Sequence, residues 1–273
     1  MIDLHLHTNV SDGQDTPAEL VERCRARGIR VLSVTDHDTT AGWDATAAAS
    51  AAAGLTLVRG VEVTAVLDGR DVHVLGYFPP IRVPILDEFL AEQRQHRIRR
   101  VHAIADRLAA LGKPIDVNAV LCSGARHAGR SIGRPRIADA MIAAGHVASR
   151  DQAFAQYLGT GCLAFVPRTG ASPEEVVELI SSSGGLASLA HPGLLDRDDR
   201  LPSLIVAGMP AIEVFHSDHD AEMRARYQRL ARASGLLMTG GSDYHGETAA
   251  HGELGGVTLP EEHYHALRER LFA

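Results

Sequence analysis

Nine imidazole and carboxylate side chains fall where they could act together. His5 and His7 lie two apart in Ile2-Asp3-Leu4-His5-Leu6-His7, Asp12 follows, His37 sits within Asp36-His37-Asp38, and Glu62 follows Gly60-Val61. His73, His191 before Pro192, Asp243 and His245 complete the set. Imidazole and carboxylate without thiolate suit manganese, iron, zinc or, less well, magnesium; manganese is the first expectation. Nine ligands exceed what one ion needs, so two or three divalent ions are implied, with Glu62 on a rigid strand as the natural bridge. Two ions about 3.5–4 Å apart make hydroxide available at neutral pH and stabilise both oxygens of an in-line displacement. A single His-x-His means little in a chain with 15 histidines; His263 and His265 form another, inside a predicted surface helix that turns them to different faces.

The elements around these residues give the set its weight. Ile2, Leu4 and Leu6 alternate with Asp3, His5 and His7, the pattern of a two-faced strand. Thr16-Pro17-Ala18-Glu19 is a capping box opening a helix to about Arg27, and Val31–Thr35 is the next strand. An alanine-rich helix runs from about Ala41 to Ala53, then a strand over Leu55–Val63, with Val61–Leu67 and Asp71–Tyr77 flanking a turn at Asp68-Gly69-Arg70. After Pro79-Pro80 one long helix is predicted over 84–111, with shorter ones near 134–144 and 150–158. Strand–helix alternation is expected to resume near Ala164–Pro167. Ser172-Pro173-Glu174-Glu175 caps another helix, and strands follow at Leu186–Ala190, Ala211–Phe215 and Leu236–Thr239. This alternation implies an α/β fold with a largely parallel sheet, and about seven strands favour a distorted barrel. Its site would lie at the C-terminal ends of the strands, where the imidazoles and carboxylates fall. Residues 1–80 and 161–273 are read as a discontinuous barrel, and 81–160 as a helical insertion.

Composition narrows the partners. The chain has 273 residues, 45% of them hydrophobic, and a formal charge of −7. Residues 81–160 nonetheless hold 12 Lys and Arg against 7 Asp and Glu, a basic segment beside an acidic body. Arg94, Arg97, Arg99 and Arg100 are read as a solvated helix face. Only 4% of residues are aromatic, which limits base-stacking platforms. No apolar run nears the roughly 20 residues of a membrane span, and no signal peptide follows Met1. The three cysteines, Cys24, Cys122 and Cys162, are widely spaced without CxxC, which speaks against disulfides and fits a reducing cytoplasm.

His5-Leu6-His7-Thr8, Asp12-Gly13, Thr35-Asp36-His37-Asp38, Gly60-Val61-Glu62, His73, Ala190-His191-Pro192 and Ser242-Asp243-Tyr244-His245 together resemble the motif set of the polymerase and histidinol phosphatase (PHP) family. The resemblance covers nearly the whole chain outside the insertion. It implies a distorted seven-stranded β/α barrel, a trinuclear metal site and phosphoesterase activity. It implies one ion on His5, His7, Glu62 and Asp243, a second on Glu62, His73 and His191, and a third on Asp12, His37 and His245. Gly133-Arg134-Pro135 in the insertion and Ile212-Glu213-Val214 are similar to the small bacterial branch, which includes nucleoside 3′,5′-bisphosphate phosphatases and 5′–3′ exonucleases on short RNA.

By that resemblance Arg134 contacts substrate phosphate, as the guanidinium fork suits, with Arg136, Arg168 and His219 as further phosphate-binding candidates. Glu62, Asp243, Arg134 and His219 are the catalytic candidates, His219 as the group that protonates the leaving oxygen. Asp36 and Asp38 are expected to orient His37, and Trp43 and Tyr244 to pack. His96, His102, His127, His146 and His251 are read as surface or loop residues. The sequence departs from the branch at Arg136, Asp139, Cys162 and Leu194, which bears on the nucleotide pocket more than on the metals. The expected activity is 3′-phosphate removal from a nucleoside 3′,5′-bisphosphate. Exonucleolytic cleavage of short RNA, amide hydrolysis and a non-catalytic metal-stabilised interaction module are the alternatives.

Overall fold

A computed structural model describes residues 1–125, 133–195, 197–248 and 252–272. Seven strands form one sheet in chain order: β1 (Ile2–Leu6), β2 (Val31–Val34), β3 (Thr56–Leu67), β4 (Arg70–Phe78), β5 (Leu186–Leu189), β6 (Ala211–Phe215) and β7 (Leu237–Gly240). Neighbours run parallel except β4, which is antiparallel to both β3 and β5. The chain after β7 returns to β1, where His7 N donates to Tyr244 O at 3.0 Å and Asp243 N to His5 O at 2.9 Å, nearly closing the sheet into a barrel. Because β4 is reversed, its beginning lies at the rim where the parallel strands end. That brings His73 to the same rim as His5 and His37.

The helices are α1 (Pro17–Ala26), α2 (Trp43–Ala53), α3 (Pro84–Ala110), α4 (Val117–Ala125), α5 (Arg134–Ala143), α6 (Arg150–Ala153), α7 (Pro173–Ser182), α8 (Pro192–Leu195), α9 (Leu201–Val206), α10 (Ala221–Ser234) and α11 (Glu261–Leu271). Both predicted capping boxes are present: Thr16 and Ser172 accept the backbone N–H groups of Glu19 and Glu175, whose side chains reach back. Each such cap contributes about 1 kcal/mol.

Strand alternation places the core. Ile2 and Leu4 pack with Tyr264, Leu267 and Leu271 of α11, and Leu6 with Leu20, Val21 and Cys24 of α1. Val61, Val63 and Val74 meet Leu86, Leu90, Val176 and Ile180 of α3 and α7. The far half of α3 leaves this core: Val101, Ile104 and Leu108 join Ile137, Ala138 and Met141 of α5 in a separate cluster.

Two expectations are corrected. The strand predicted over Leu55–Val63 and the hairpin arm Val61–Leu67 are one continuous strand, β3. Ala164–Pro167 forms no strand. Its carbonyls are taken by α3 side chains instead: Arg100 Nε donates to Val166 O at 2.9 Å and an Arg107 guanidinium nitrogen donates to Phe165 O.

Candidate metal centre

Each strand end delivers a polar side chain to the same point because the residues around it are fixed first. Among the described residues, four non-glycine residues have left-handed backbone, Asp38 (φ 47°), His191 (φ 24°), Asp243 (φ 54°) and the hairpin residue Asp68 (φ 51°). Three of the four lie at or beside the candidate site, where such backbone persists only if its surroundings hold it. Asp38 is held by Thr64, whose N–H and Oγ1 donate to its carboxylate at 2.8 and 3.0 Å. Asp36 does not bond the His37 ring. Its oxygens accept from Thr8 N, Thr8 Oγ1 and Ser11 Oγ at 2.6–2.8 Å, pinning the loop that carries Asp12. Trp43 and Tyr244 pack as expected, Nε1 donating to Gly60 O and the hydroxyl to Asp15.

Five of the other eight predicted ligands face Glu62 directly. Its Oε2 faces His5 Nε2 at 3.4 Å, His7 Nε2 at 3.2 Å and His37 Nδ1 at 3.1 Å. Its Oε1 faces His73 Nδ1 at 2.8 Å and His191 Nε2 at 3.0 Å. Asp243 Oδ1 closes the first group at 3.3 Å from His5 Nε2 and 3.2 Å from His7 Nε2. A third corner gathers Asp12 with His245 at 3.3 Å, His37 at 3.6 Å and His7 at 3.7 Å. Neighbouring imidazoles crowd to a centroid separation of 4.1 Å at His7 and His245.

Burial alone would keep the acids protonated and the imidazoles neutral. Against it, His37, His73, His5 and the His191 hydrogen bond hold Glu62 well below the usual carboxylate range. Asp243, buried likewise, is held down by His5, His216 and His7, and Asp12 by His37, His245 and His7. Burial opposes charge on His7 too, but Asp243 and Glu62 lift it to about 10; at His37 burial prevails and the ring falls to about 3.

His7 decides whether a metal fits. It is fully buried, neither ring nitrogen has a hydrogen-bond partner, and Nε2 faces two carboxylate oxygens. A proton or a cation must lie between Nε2 and these oxygens, and a divalent cation can meet the nitrogen and both carboxylates at once. Convergent neutral imidazoles and carboxylates are the donor set of a divalent cation.

Arg168 Nε pairs with Asp71 at 2.7 Å. Arg134 donates to Leu158 O at 3.2 Å, and its guanidinium lies 5.7 and 5.6 Å from the ring centroids of Phe154 and Phe165. Arg136 lines, with Asp12 and Val120, a cleft of about 860 Å³ between the rim and α4–α5. There the departure Asp139 is held in a two-pronged pair by Arg150, both contacts 2.6 Å.

His219 is not brought to the rim. Nδ1 donates to Val214 O at 3.0 Å and Nε2 accepts Gly193 N–H at 3.1 Å, so neither nitrogen is open to substrate. The helix cap beside it comes from Asp220.

Arg94 and Arg97 overturn the solvated-face reading. Arg94 donates to Asp38 O, while the Arg97 guanidinium pairs with the Asp38 carboxylate and donates to Thr64 Oγ1 at 2.7 Å. Burial and the neighbouring Arg168 pull Arg97 down to about 9. Sequence reasoning also passed over Glu213 and His216. Glu213 Oε1 is 3.0 Å from His5 Nδ1, and His216 Nε2 is 3.4 Å from Asp243 Oδ2. A carboxylate inside the apolar run Ala211–Phe215, sharing the parity of a strand's inner face, was the available signal. His127 and His251 lie outside the described residues.

Residues 3–157 match the PHP domain family. The chain is 34% identical over 250 residues to the phosphoribosyl 1,2-cyclic phosphate 1,2-diphosphodiesterase of Eggerthella lenta, spanning 90% of this chain and 94% of that protein. It is 33% identical to the 5′-3′ exoribonuclease Rnm of Escherichia coli (89% and 84% covered) and 32% identical to the 3′,5′-nucleoside bisphosphate phosphatase of Chromobacterium violaceum (89% and 87%). A protein from Bifidobacterium adolescentis assigned as a metal-dependent phosphoesterase superposes with a TM-score of 0.81 at 35% identity, over 98% of this chain and 95% of that one. An amidohydrolase structure from Chromobacterium violaceum, with bound sulfate and no metal, superposes at 0.76 and 30% identity, over 98% and 96%.

Proposed function

The chain belongs to the PHP domain family and is a hydrolase of phosphoric ester bonds, and from that premise we propose that it removes the 3′-phosphate of nucleoside 3′,5′-bisphosphates with the help of two or three divalent ions, manganese first among them. The observation that carries this reading is the division of Glu62: one oxygen faces His5, His7 and His37, the other His73 and His191. That is the geometry a carboxylate needs to serve two ions at once. His5, His7, Glu62 and Asp243 would hold one ion, Glu62, His73 and His191 the second, and Asp12, His37 and His245 a third. Bound there, the ions supply a hydroxide nucleophile at neutral pH and Lewis-acid stabilisation of phosphorane charge.

The chain's own residues then bind and orient. Arg134, Arg136 and Arg168 offer guanidinium forks to the phosphate oxygens. With both His219 nitrogens engaged, the leaving oxygen takes its proton from solvent. A second reading, 5′–3′ cleavage of short RNA, is supported by the 33% identity to the 5′-3′ exoribonuclease Rnm of Escherichia coli.

A phosphate-release panel on manganese-loaded protein tests both readings, using adenosine 3′,5′-bisphosphate, AMP and a 5′-phosphorylated dinucleotide. Release of AMP from the bisphosphate is expected, with at least a 10³-fold loss in Glu62→Gln. The same rate in that variant overturns the site. Cleavage of the dinucleotide alone, with RNA binding that weakens steeply with salt, moves the assignment to the nuclease.

A further inference from the structure

Strand β6 supplies none of the nine predicted ligands, yet it and the turn after it hold three of the most buried polar side chains, Glu213 (0% exposed), His216 (0%) and His219 (1%). Each contacts a candidate ligand or the loop that carries one. Glu213 Oε1 faces His5 Nδ1 at 3.0 Å, while Oε2 accepts the His191 backbone N–H at 2.8 Å. His216 Nδ1 accepts Asp218 N–H at 3.1 Å, so the proton of the neutral ring sits on Nε2, which lies 3.4 Å from Asp243 Oδ2 in a charge contact without a formed hydrogen bond. His219 donates Nδ1–H to Val214 O and uses Nε2 to accept Gly193 N–H, two residues after His191. A Cβ at Gly193 would stand 2.8 Å from His219 Cδ2, so the loop approaches this closely only with glycine there. His191 and Asp243 both have left-handed backbone, which needs such support.

We propose that Glu213, His216 and His219 form a positioning layer that aims His5, Asp243 and His191 at the bound ions. The inference rests on reading those three residues as metal ligands. His5, Glu213 and His216 also stand close enough to hold a fourth ion by themselves. Imidazole chemistry argues against it. His5 would have to ligate through Nδ1 there and through Nε2 beside Glu62, which requires an imidazolate, and the His216 nitrogen facing the site carries its proton. A carboxylate on the remote nitrogen of a ligating imidazole fixes its tautomer and raises its basicity, and losing such a partner weakens metal binding about 10–100-fold.

Chelator-stripped wild type and Glu213→Gln are titrated with Mn2+ by calorimetry, and the metal-free proteins are melted alongside. Glutamine can still accept the His191 N–H, but the same side chain then turns an NH2 toward His5 Nδ1. The expected result is an unchanged metal-free melting temperature with Mn2+ binding 10–100-fold weaker. A lower metal-free melting temperature with wild-type affinity makes Glu213 merely structural and overturns the proposal. Loss of one ion per chain with the rest bound as before also overturns it, in favour of the fourth-ion site. Should Glu213→Gln fail to fold, His216 decides. His216→Gln keeps an N–H beside Asp243 and is expected to hold affinity within about threefold, whereas His216→Ala loses it; equal affinities refute the layer. A wild type that binds no Mn2+ brings down the metal reading together with this one.

Discussion

Replacing Arg97 by alanine separates two accounts of α3 that differ about six- to tenfold in energy. If its arginines lined water, the change would cost within about 0.5 kcal/mol, as surface substitutions do. In the structure the Arg97 guanidinium pairs with Asp38, whose side chain is 1% exposed and whose backbone is left-handed. Removing the cation leaves the Asp38 carboxylate with the two Thr64 donors, while Arg94 stays on its backbone carbonyl. Stranding a buried charge in this way costs about 3–5 kcal/mol. The damage reaches the site, because Asp38 N donates to Glu62 O at 2.9 Å and His37 is the preceding residue. Urea unfolding of Arg97→Ala, Asp38→Asn and the double variant measures this. The double variant is expected to recover most of the loss, since no charge is then left unpaired, with a coupling of about 2 kcal/mol or more. A single-variant cost below 0.5 kcal/mol, or strict additivity, would refute the buried pin.

Gly241→Ala is expected to be damaging, because its Cβ would stand 2.3 Å from His5 N and 2.5 Å from His5 Cβ. Overpacking of this kind costs about 1–3 kcal/mol, and Mn2+ titration should show weakened binding as β7 is pushed off β1. Asp3, fully buried, is raised by that burial to about 6 despite hydrogen bonds from Ser242. The folded chain therefore holds a proton that the unfolded chain has lost, and stability falls as pH rises from about 4 to 6, by about 3 kcal/mol in all. Asp3→Asn removes this contribution, so its stability relative to wild type should improve by that amount between pH 4 and 7.5; a pH-independent difference counts against it. Stripping divalent ions with a chelator should lower the melting temperature, by the equivalent of about 2.7 kcal/mol if the ion stood at 100 times its Kd. An unmoved melting curve would contradict ion binding to the folded state.

How far the site could be read from sequence depended on whether a residue's partner was implied by its position. His5, His37, His191 and Asp243 were legible because a strand followed by a turn puts its last residues on the common rim; Glu62 was read the same way, although β3 runs on past it to Leu67. His73 was legible as a hairpin residue, and the reversal of β4 explains why the start of that strand, and not its end, reaches the rim. Orientation within the rim was not legible, since it depends on which nitrogen of each ring is taken. Two histidines three residues apart, His216 and His219, offer the same chemistry in sequence. Val214 O and Gly193 N–H consume both nitrogens of one, while the other keeps Nε2 for Asp243.

Arg97 shows that burial could have been read where partnership could not. Leu86, Leu90, Gln93, Val101, Ile104 and Leu108 are the buried stripe of α3, and Arg97 falls between Gln93 and Val101 at the same spacing. A charge on that stripe must either meet a counter-charge or cost several kcal/mol, so the helix face alone demanded a buried acid opposite. Which acid could not be named, because Asp38 reaches it from a left-handed turn 59 positions away. The same logic applies to Glu213 in β6, an inward carboxylate whose counter-groups lie on β1 and after β5. Arg97 and Glu213 each find their partners on other elements of the fold. The segment basic enough to suggest a surface for anions therefore also holds the rim in shape, and α3 bears on the geometry at Glu62 as well as on what approaches it.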